Sequence, residues 1–570
     1  MDNNSLKFKV DSLKFRLQTS ILSSALFGLT TVLAVSCADY NVIDDFTAEP
    51  DPTFVEPYKD LDPVKSYIDR SKYPNMKLGA KLTVVDFNKQ ELAHAAAVTN
   101  FDDLAFGNTL MSGKIVNAKG VMNFLDMKDL LDHVQEIGGE VFGSPIVANA
   151  NQADEWLNML TAPIEVQVEY VEGKSVDFTT MTTFDGTTEK GTAASIVKYD
   201  NQNTLKIPTL SNVRIIEGFP VDPTAKYTIT FWAQADKDAT YNVTFSGNKI
   251  NGPADGKWTF KAGKWTKIVI TDAQSAEGET EGYLRIENTR SAVIYIQKVQ
   301  VGYYPDNHRP QTVQERTDTI NYALRAWCDG LMKINEGRIK SFDLIDEPID
   351  AKAELENGMF DLKHSDEKIF WQDVLGSENY APIVSKVAAE AFRTHGGNPE
   401  ELRFFISESG LEEQQKFESL KYWIGIWDAN GAKIDGINAK LNLSYSEDAD
   451  KQKANEASLN TLLENLASTG KLIRLSNFDI KYQDAAGANV AVKDITKEQR
   501  QKLADFYAYA IKSYMNKIPH ELQAGICKGN LVDTSDPVGL WSLEAIDAKG
   551  TKDWVRNSIY KAFCDALSGK

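Results

Sequence analysis

Two rhythms of hydrophobic and polar positions divide the chain. From about residue 77, short apolar runs alternate with longer segments whose apolar residues recur every three or four positions. The first rhythm predicts buried parallel strands, the second amphipathic helices packed over them. The strand regions are "MKLGAKLTVVDF", "FDDLAFGNTL", "GEVFGSPIVANA", "RIKSFDLIDEP", "ELRFFISES", "KIDGINAKLNLSY", "KLIRLSNFDIKY" and "LQAGICKGNLVD". Helical runs fall between them, the longest being "QTVQERTDTINYALRAWCDGLMKINEG", and "DWVRNSIYKAFCDAL" reads as the last helix. Eight strands in alternation with helices predict an α/β fold, a closed (β/α)8 TIM barrel rather than an open doubly wound sheet. From 163 to 304 the period changes from 3.6 to 2. "YTITFWAQA", "YNVTFSG", "WTKIVIT", "YLRIENT" and "AVIYIQKVQVGYY" are separated by Gly, Asn and Asp turns, and no amphipathic helix intervenes. This predicts an all-β sandwich inserted between the third strand and the third helix of the barrel. The barrel then occupies 61–162 and 305–570.

The N-terminus follows neither rhythm. Lys7, Lys9, Lys14 and Arg16 precede an apolar stretch, "ILSSALFGLTTVLAV", which ends at Ser36-Cys37. A basic segment, an apolar segment too short to span and small residues at its end mark a secretion signal. With the cysteine placed there, residues 1–36 resemble a bacterial lipoprotein signal, which implies that Cys37 carries the lipid. The ordinary secretory signal is the alternative. Residues 37–60, acidic and bearing prolines, read as a tether. The expected location is the cell envelope: an outer-membrane lipoprotein exposed at the surface, touching membrane only through its anchor.

Composition narrows the chemistry. With 62 Lys and Arg against 81 Asp and Glu, the formal charge is −19. A chain this acidic, without a basic stripe, repels a phosphate backbone, so nucleic acid is not an expected partner. The chain has six histidines and four cysteines, and no histidine falls at a predicted strand end. That pattern predicts no metal centre, no cofactor and no cysteine nucleophile, and it leaves Cys328, Cys527 and Cys564 as buried thiols.

Aromatic residues give the sandwich its candidate chemistry, because their rings stack on the apolar faces of pyranoses. Trp232, Tyr241, Trp258 and Tyr283 are the candidates, with Trp265 assigned to the core. The segments "YTITFWA", "GKWTKIVIT" and "IYIQKVQVGY" resemble carbohydrate-binding modules of the jelly-roll type. That resemblance implies sugar binding; the competing reading of each ring is plain core packing.

Barrel enzymes carry their chemistry at the C-terminal ends of the strands. The fourth strand ends Asp346-Glu347-Pro348, two adjacent carboxylates of the kind general acid catalysis uses. "RIKSFDLIDEPI" resembles the acid/base motif of glycoside hydrolase family 10, the retaining endo-β-1,4-xylanases, where the strand reads Trp-Asp-Val-Val-Asn-Glu. "GSPIVANANQADEWL", "GINAKLNL" and "RLSNFDI" match, in order and spacing, the family's motifs on strands three, six and seven. An inserted module at this point is similar to xylanases of the Bacteroides type.

The resemblance implies that Glu347 holds the acid/base position and Asn477 the position of the nucleophile. It also puts Asn442 where the family has the histidine that orients the nucleophile. Ser144, Ala148 and Asn149 stand where it has His, Trp and His. Asn108 is kept, but Thr109, Leu110 and Met111 follow it, and Asp346 replaces the Asn before the acid/base. Retaining hydrolysis needs two carboxyl groups about 5–5.5 Å apart, and a neutral amide cannot attack an anomeric carbon. Asp479 and Glu408 are the residues that could supply a second carboxylate.

Three functions remain open on the sequence. The first is a surface lipoprotein that binds a xylan-like plant polysaccharide with lost or impaired hydrolysis, beside an outer-membrane glycan uptake machinery. The second is an active xylanase with Glu347 as acid and a non-standard second carboxylate. The third is a docking protein with no sugar ligand. The expected ligand-binding residues are Asn108, Asn149, Asp346, Glu408, Asn442, Asp479, Trp232 and Trp258.

Overall fold

The computed structural model describes residues 55–570, apart from residues 254, 289, 290 and 548. Cys37, the leader and most of the tether lie outside the described residues. The eight strand regions form the barrel: β1 (Lys77–Lys81), β2 (Asp103–Ala105), β3 (Glu140–Gly143), β4 (Ser341–Asp346), β5 (Arg403–Ser409), β6 (Gly436–Lys440), β7 (Leu472–Ser476) and β8 (Gln523–Lys528). Each pairs in parallel with its neighbours, β8 closes on β1, and β4 joins β5, so the sheet has no free edge. Parallel strands buried on both faces need apolar runs, and these supply them: β5 presents Phe404, Phe405 and Ile406, all 3% exposed or less.

The covering helices are α1 (Leu92–Asn100), α2 (Leu125–Glu136), α3 (Val313–Asn335), α4 (Tyr380–Thr394), α5 (Gln414–Ala429), α6 (Ala449–Ser468), α7 (Lys497–Lys517) and α8 (Ser558–Leu567). Their starts are written locally. Thr312 with Glu315 and Thr496 with Gln499 form reciprocal capping boxes on α3 and α7, and Asp448 accepts two backbone N–H bonds at the start of α6. One expectation fails at the C-terminus. Only Ser558–Leu567 of the predicted last helix is helical; Lys552–Arg556 instead pairs antiparallel with Trp541–Ala545. Trp554 and Val555 belong to that hairpin, whose alternation the helical reading overlooked.

The barrel interior contains polar layers. Arg474 of β7 makes two bonds of 2.8 Å to Asp103 of β2 and stacks on the Phe142 ring at 4.1 Å. A Cβ on Gly79 would sit 2.4 Å from Asp103 Oδ1 and 2.6 Å from Arg474 Nη2, so glycine makes room for this pair.

Between β3 and α3 the chain leaves the barrel to build two antiparallel sheets. One runs Asn248–Ile250, Ala239–Phe245, Glu281–Glu287, Asn212–Pro220 and Thr188–Lys190, with Trp258–Phe260 added beside Ala239–Phe245. The other runs Thr266–Ala273, Tyr227–Ala235, Ile294–Tyr303, Gln202–Ile207 and Ser195–Tyr199, with Val171–Asp177 added beside Ile294–Tyr303. Their facing sides share a core separate from that of the barrel, including Leu205, Val213, Ile229, Phe245 and Ile296. Both ends of this insertion pass through one short ribbon, in which Ile164–Glu165 pairs antiparallel with His308–Arg309.

Candidate functional site

Strand β4 delivers Asp346 and Glu347 to the C-terminal mouth of the barrel. Asp346 accepts a bond of 2.6 Å from Ser407 Oγ of β5 and forms an ion pair with Lys440, the last residue of β6. Glu347 sits in the left-handed backbone region, with φ 46°, and its N–H donates to the Ser407 carbonyl at 2.8 Å. The same Lys440 ammonium lies 3.3 Å from Glu347 Oε1, and Lys363 Nζ lies 3.8 Å from Oε2.

These cations set the acidity of the site. Partial burial opposes the charge on Glu347, but Lys440 and Lys363 outweigh it and hold the carboxyl below its ordinary value. A general acid working near neutral pH needs the opposite shift. Burial also opposes the charge on Lys440, and Asp346 and Glu347 overcome it, so the ammonium is held above its usual range. Beneath them Asp343, 7% exposed, accepts from Asn438 Nδ2 through both oxygens at 3.1 Å. Burial, with Asp346 adding to it, pushes the Asp343 carboxyl up to about 7.

Asn477 follows β7 with φ 50°, a conformation asparagine adopts more readily than other non-glycine residues. It lines a groove of about 710 Å³ with Lys81, Asn442, Asp479, Lys481 and Trp554. A smaller cavity of about 140 Å³ continues inward, where Asn477 and Lys81 meet Asn108, Ser144, Asp346 and Lys440. The structure therefore brings Asn108, Asp346, Asn442, Asn477 and Asp479 to one mouth. Asn149 stands beside it, with Oδ1 accepting from Gln372 Nε2 at 3.2 Å.

Neither residue proposed as a second carboxylate is free for that work. Asp479 forms an ion pair with the wholly buried Lys528 and accepts from Asn530 N at 3.2 Å and Asn530 Nδ2 at 2.6 Å. A Cβ at residue 529 would approach Asp479 Oδ2 to 2.4 Å, so Gly529 is what lets this loop close on the carboxylate. The expectation that Glu408 binds ligand is corrected by its position. Its carboxylate is fully buried, ion-paired with Lys416 at 2.9 Å and accepting from the Ile349 N–H at 3.1 Å. Burial pushes its carboxyl above the ordinary value, with Lys416 opposing.

The aromatic expectations divide on strand parity. Trp232 is 40% exposed. Trp258 is half-buried, donates its indole N–H to the Ile250 carbonyl at 3.2 Å and packs on the sandwich core, so it is not the free stacking ring expected. Tyr241 is wholly buried, and Arg214 lies over the Tyr283 ring at 4.1 Å. Trp265, assigned to the core by its sequence, stands instead at the end of the other sheet beside Tyr199.

Sequence reasoning missed the lysines. Lys440 stands inside "GINAKLNL" and Lys528 inside "GICKGN". A cation ending a barrel strand was the available signal, and only the closed barrel shows which carboxylates it meets.

Comparison with known proteins bears on the same residues. The family model described as Glycosyl hydrolase family 10 matches residues 305–527. No curated protein matches the chain. Among solved structures, a GH10 endoxylanase retrieved from sugarcane soil metagenome superposes with a TM-score of 0.50 at 9% identity, covering 89% of this chain and 100% of its own. An endo-1,4-beta-xylanase of Penicillium canescens gives 0.49 at 11% identity over 90% and 98%. Xylanase B from Clostridium stercorarium F9 gives 0.49 at 10% over 89% and 100%. The stretch that matches the Glycosyl hydrolase family 10 model takes in Asp346, Glu347, Lys440 and Asn477.

Proposed function

We propose that the chain is a cell-surface lipoprotein that holds a xylan-like plant polysaccharide in its barrel groove without hydrolysing it. One observation carries the reading: the residue at the acid/base position is clamped by two lysines while an amide occupies the position of the nucleophile. Hydrolysis with retention requires an anion to attack and a protonated carboxyl to leave its proton on the departing oxygen. Here Glu347 is held ionised, and Asn477 carries no charge to attack with or to stabilise an oxocarbenium ion. Asp479 and Glu408 are each engaged with a lysine, which removes support for the variant mechanism. What remains is a groove that sets polar side chains beside the Trp554 indole, suited to hydroxyl groups and pyranose faces. The anchor rests on Cys37 and the signal-like residues before it.

The test pairs a reducing-sugar assay on xylan with retention on a xylan affinity gel. Retention with no release of reducing ends is the expected result. Hydrolysis by the unmodified chain that disappears in Glu347→Gln would overturn the binding-only reading. Asn477→Glu alone is expected to leave the chain inactive, because Lys440 still neutralises Glu347; xylan hydrolysis by that single variant would contradict this.

A further inference from the structure

The barrel has a second opening, at the N-terminal ends of its strands, away from the groove. A pocket of about 360 Å³ lies there, where β1, β3, β4, β5 and β7 begin. Strand parity decides which side chains enter it. Gly79, Asp103, Phe142 and Arg474 meet in one interior layer of the barrel. Alternate residues of a strand share a face, so Lys77, Glu140 and Leu472, two positions before them on β1, β3 and β7, point inward as well. Phe405 meets Phe142 edge-on at 5.4 Å, which puts Arg403, the first residue of β5, on the same side.

The charge of this pocket opposes that of the chain, whose formal charge is −19. Lys77, Arg338, Lys340, Arg403 and Arg474 line it, against two carboxylates, Asp103 and Glu140. Asp103 is committed to Arg474, and Glu140 lies 2.9 Å from Lys77. Arg338 and Lys340 find their counter-charges, Asp132 and Glu401, outside the lining. Arg403 has no carboxylate partner among the described residues. Its Nη1 donates to the Glu400 and Leu402 carbonyls at 2.5 and 3.1 Å, while Nε and Nη2 bond to no described residue. Ser341, in register with Arg403 on the neighbouring strand, has a hydroxyl that is likewise unbonded within the described chain.

A guanidinium with two unused nitrogens beside a free hydroxyl is a ready receptor for a carboxylate. Carbon lies deeper: Phe142, Phe405 and Ala524 form a small apolar cluster with Leu472, separate from the main core. A ligand entering here meets cations at the rim and rings at the base. The volume falls within the range of small-molecule sites, about 300–1,000 Å³. Phe142 and Arg474 line both this pocket and the inner cavity of the groove, so their layer parts the two sites.

We infer that the N-terminal opening of the barrel binds a small organic carboxylate, its anionic group on Arg403 and Ser341 and its apolar body against Phe405 and Leu472. Lys77, Arg338 and Lys340 supply the local field that lets an anion approach so acidic a protein. The site is independent of the glycan-binding reading of the groove.

Fluorine-19 NMR titration of the full chain with 4-fluorobenzoate is the test, with 4-fluorobenzyl alcohol as the uncharged control. Saturable broadening of the benzoate signal is expected, weakened by added salt. Binding should be about ten-fold weaker or more for the alcohol, and for benzoate with Arg403→Met. Thermal melts establish that this variant folds. Should it not, Lys340→Gln, at a side chain 55% exposed, is expected to weaken benzoate about three-fold. β-1,4-Xylohexaose should leave the benzoate signal unchanged. Displacement by the xylohexaose would place the anion in the groove and overturn the second site. Benzoate binding that is absent, matched by the alcohol, or unaltered in the folded variants would overturn it too, and would leave the groove reading standing.

Discussion

The mouth of the barrel and the outer face of the sandwich are both polar surfaces set among rings, yet they treat their polar groups in opposite ways. At the barrel mouth four carboxylates have found a lysine within the chain: Asp346 and Glu347 share Lys440, Asp479 holds Lys528, and Glu408 holds Lys416. On the outer face of the sandwich, Gln234 makes no side-chain hydrogen bond among the described residues, and Trp232 stands 40% exposed. Internal pairing stabilises a site and dulls its chemistry, since a carboxylate clamped by an ammonium gives up its proton early and takes it back late. An amide left to solvent keeps both its donor and its acceptor available. The contrast teaches that a polar group's readiness for a ligand depends on whether the chain has already paired it.

The contrast can be broken at its strongest point first. Asp103→Ala leaves Arg474 charged and buried against Phe142, and removing one partner of such a pair costs about 3–5 kcal/mol. Calorimetry should show the barrel transition falling far below that of the unmodified chain; a change near zero would mean that the interior pair is not holding its charges. Next is Lys440→Met. Without the ammonium, burial is opposed by Lys363 alone among the lysines, and the Glu347 carboxyl should rise from its lowered value. Carbon-13 NMR titration of the side-chain carboxyls reads this directly, and an unmoved resonance would remove Lys440 from the account.

A smaller effect concerns Asp343. Its folded value, about 7, lies above its ordinary 3.8, so the native state binds a proton that the unfolded chain has released between those limits. Its contribution to stability is therefore present below about pH 4 and lost as the pH rises through about 7. In Asp343→Asn that loss disappears, and melting temperature should fall less between pH 4 and 8 than in the parent. Equal slopes would dismiss the carboxyl as the cause. The smallest change is expected on the sandwich. Gln234→Leu removes an amide that is bonded to no other described residue, so the folding stability should stay within about 0.5 kcal/mol of the parent, read from thermal melts. A large destabilisation would reveal a partner for Gln234 and end the contrast.

Much of the architecture was legible in the sequence because period is a local property. Short aromatic-rich runs such as "RFFIS" fit buried strands by their length and composition, and the change to alternate polarity after residue 163 marks the insertion without any knowledge of its partners. The site was half legible. Glu347 and Asn477 follow from the ends of strands, whereas the lysine that governs Glu347 is 93 residues away along the chain. Parity decided the aromatics. Trp232 and Trp258 look alike in sequence, but one faces outward and the other closes on Ile250. Gln234 drew no attention because a glutamine in a strand is unremarked until its burial is known. The hairpin at Trp541–Ala545 and Lys552–Arg556 was misread because Trp554 and Val555 also fit the spacing of the helix that follows.

The ribbon of Ile164–Glu165 against His308–Arg309 has a consequence for how the chain folds. Because both ends of the insertion meet in that ribbon, a sandwich that has already collapsed presents the barrel with a short turn rather than a long excursion. Loop-closure entropy grows only slowly with length, and most of it is spent within the sandwich's own pairing. The third strand can then find its helix across the stretches 144–163 and 310–312 rather than across the whole insertion, so the contact order that limits barrel assembly is close to that of an uninterrupted barrel. Replacing everything between the two ribbon strands with a tight turn should leave the refolding rate of the barrel nearly unchanged.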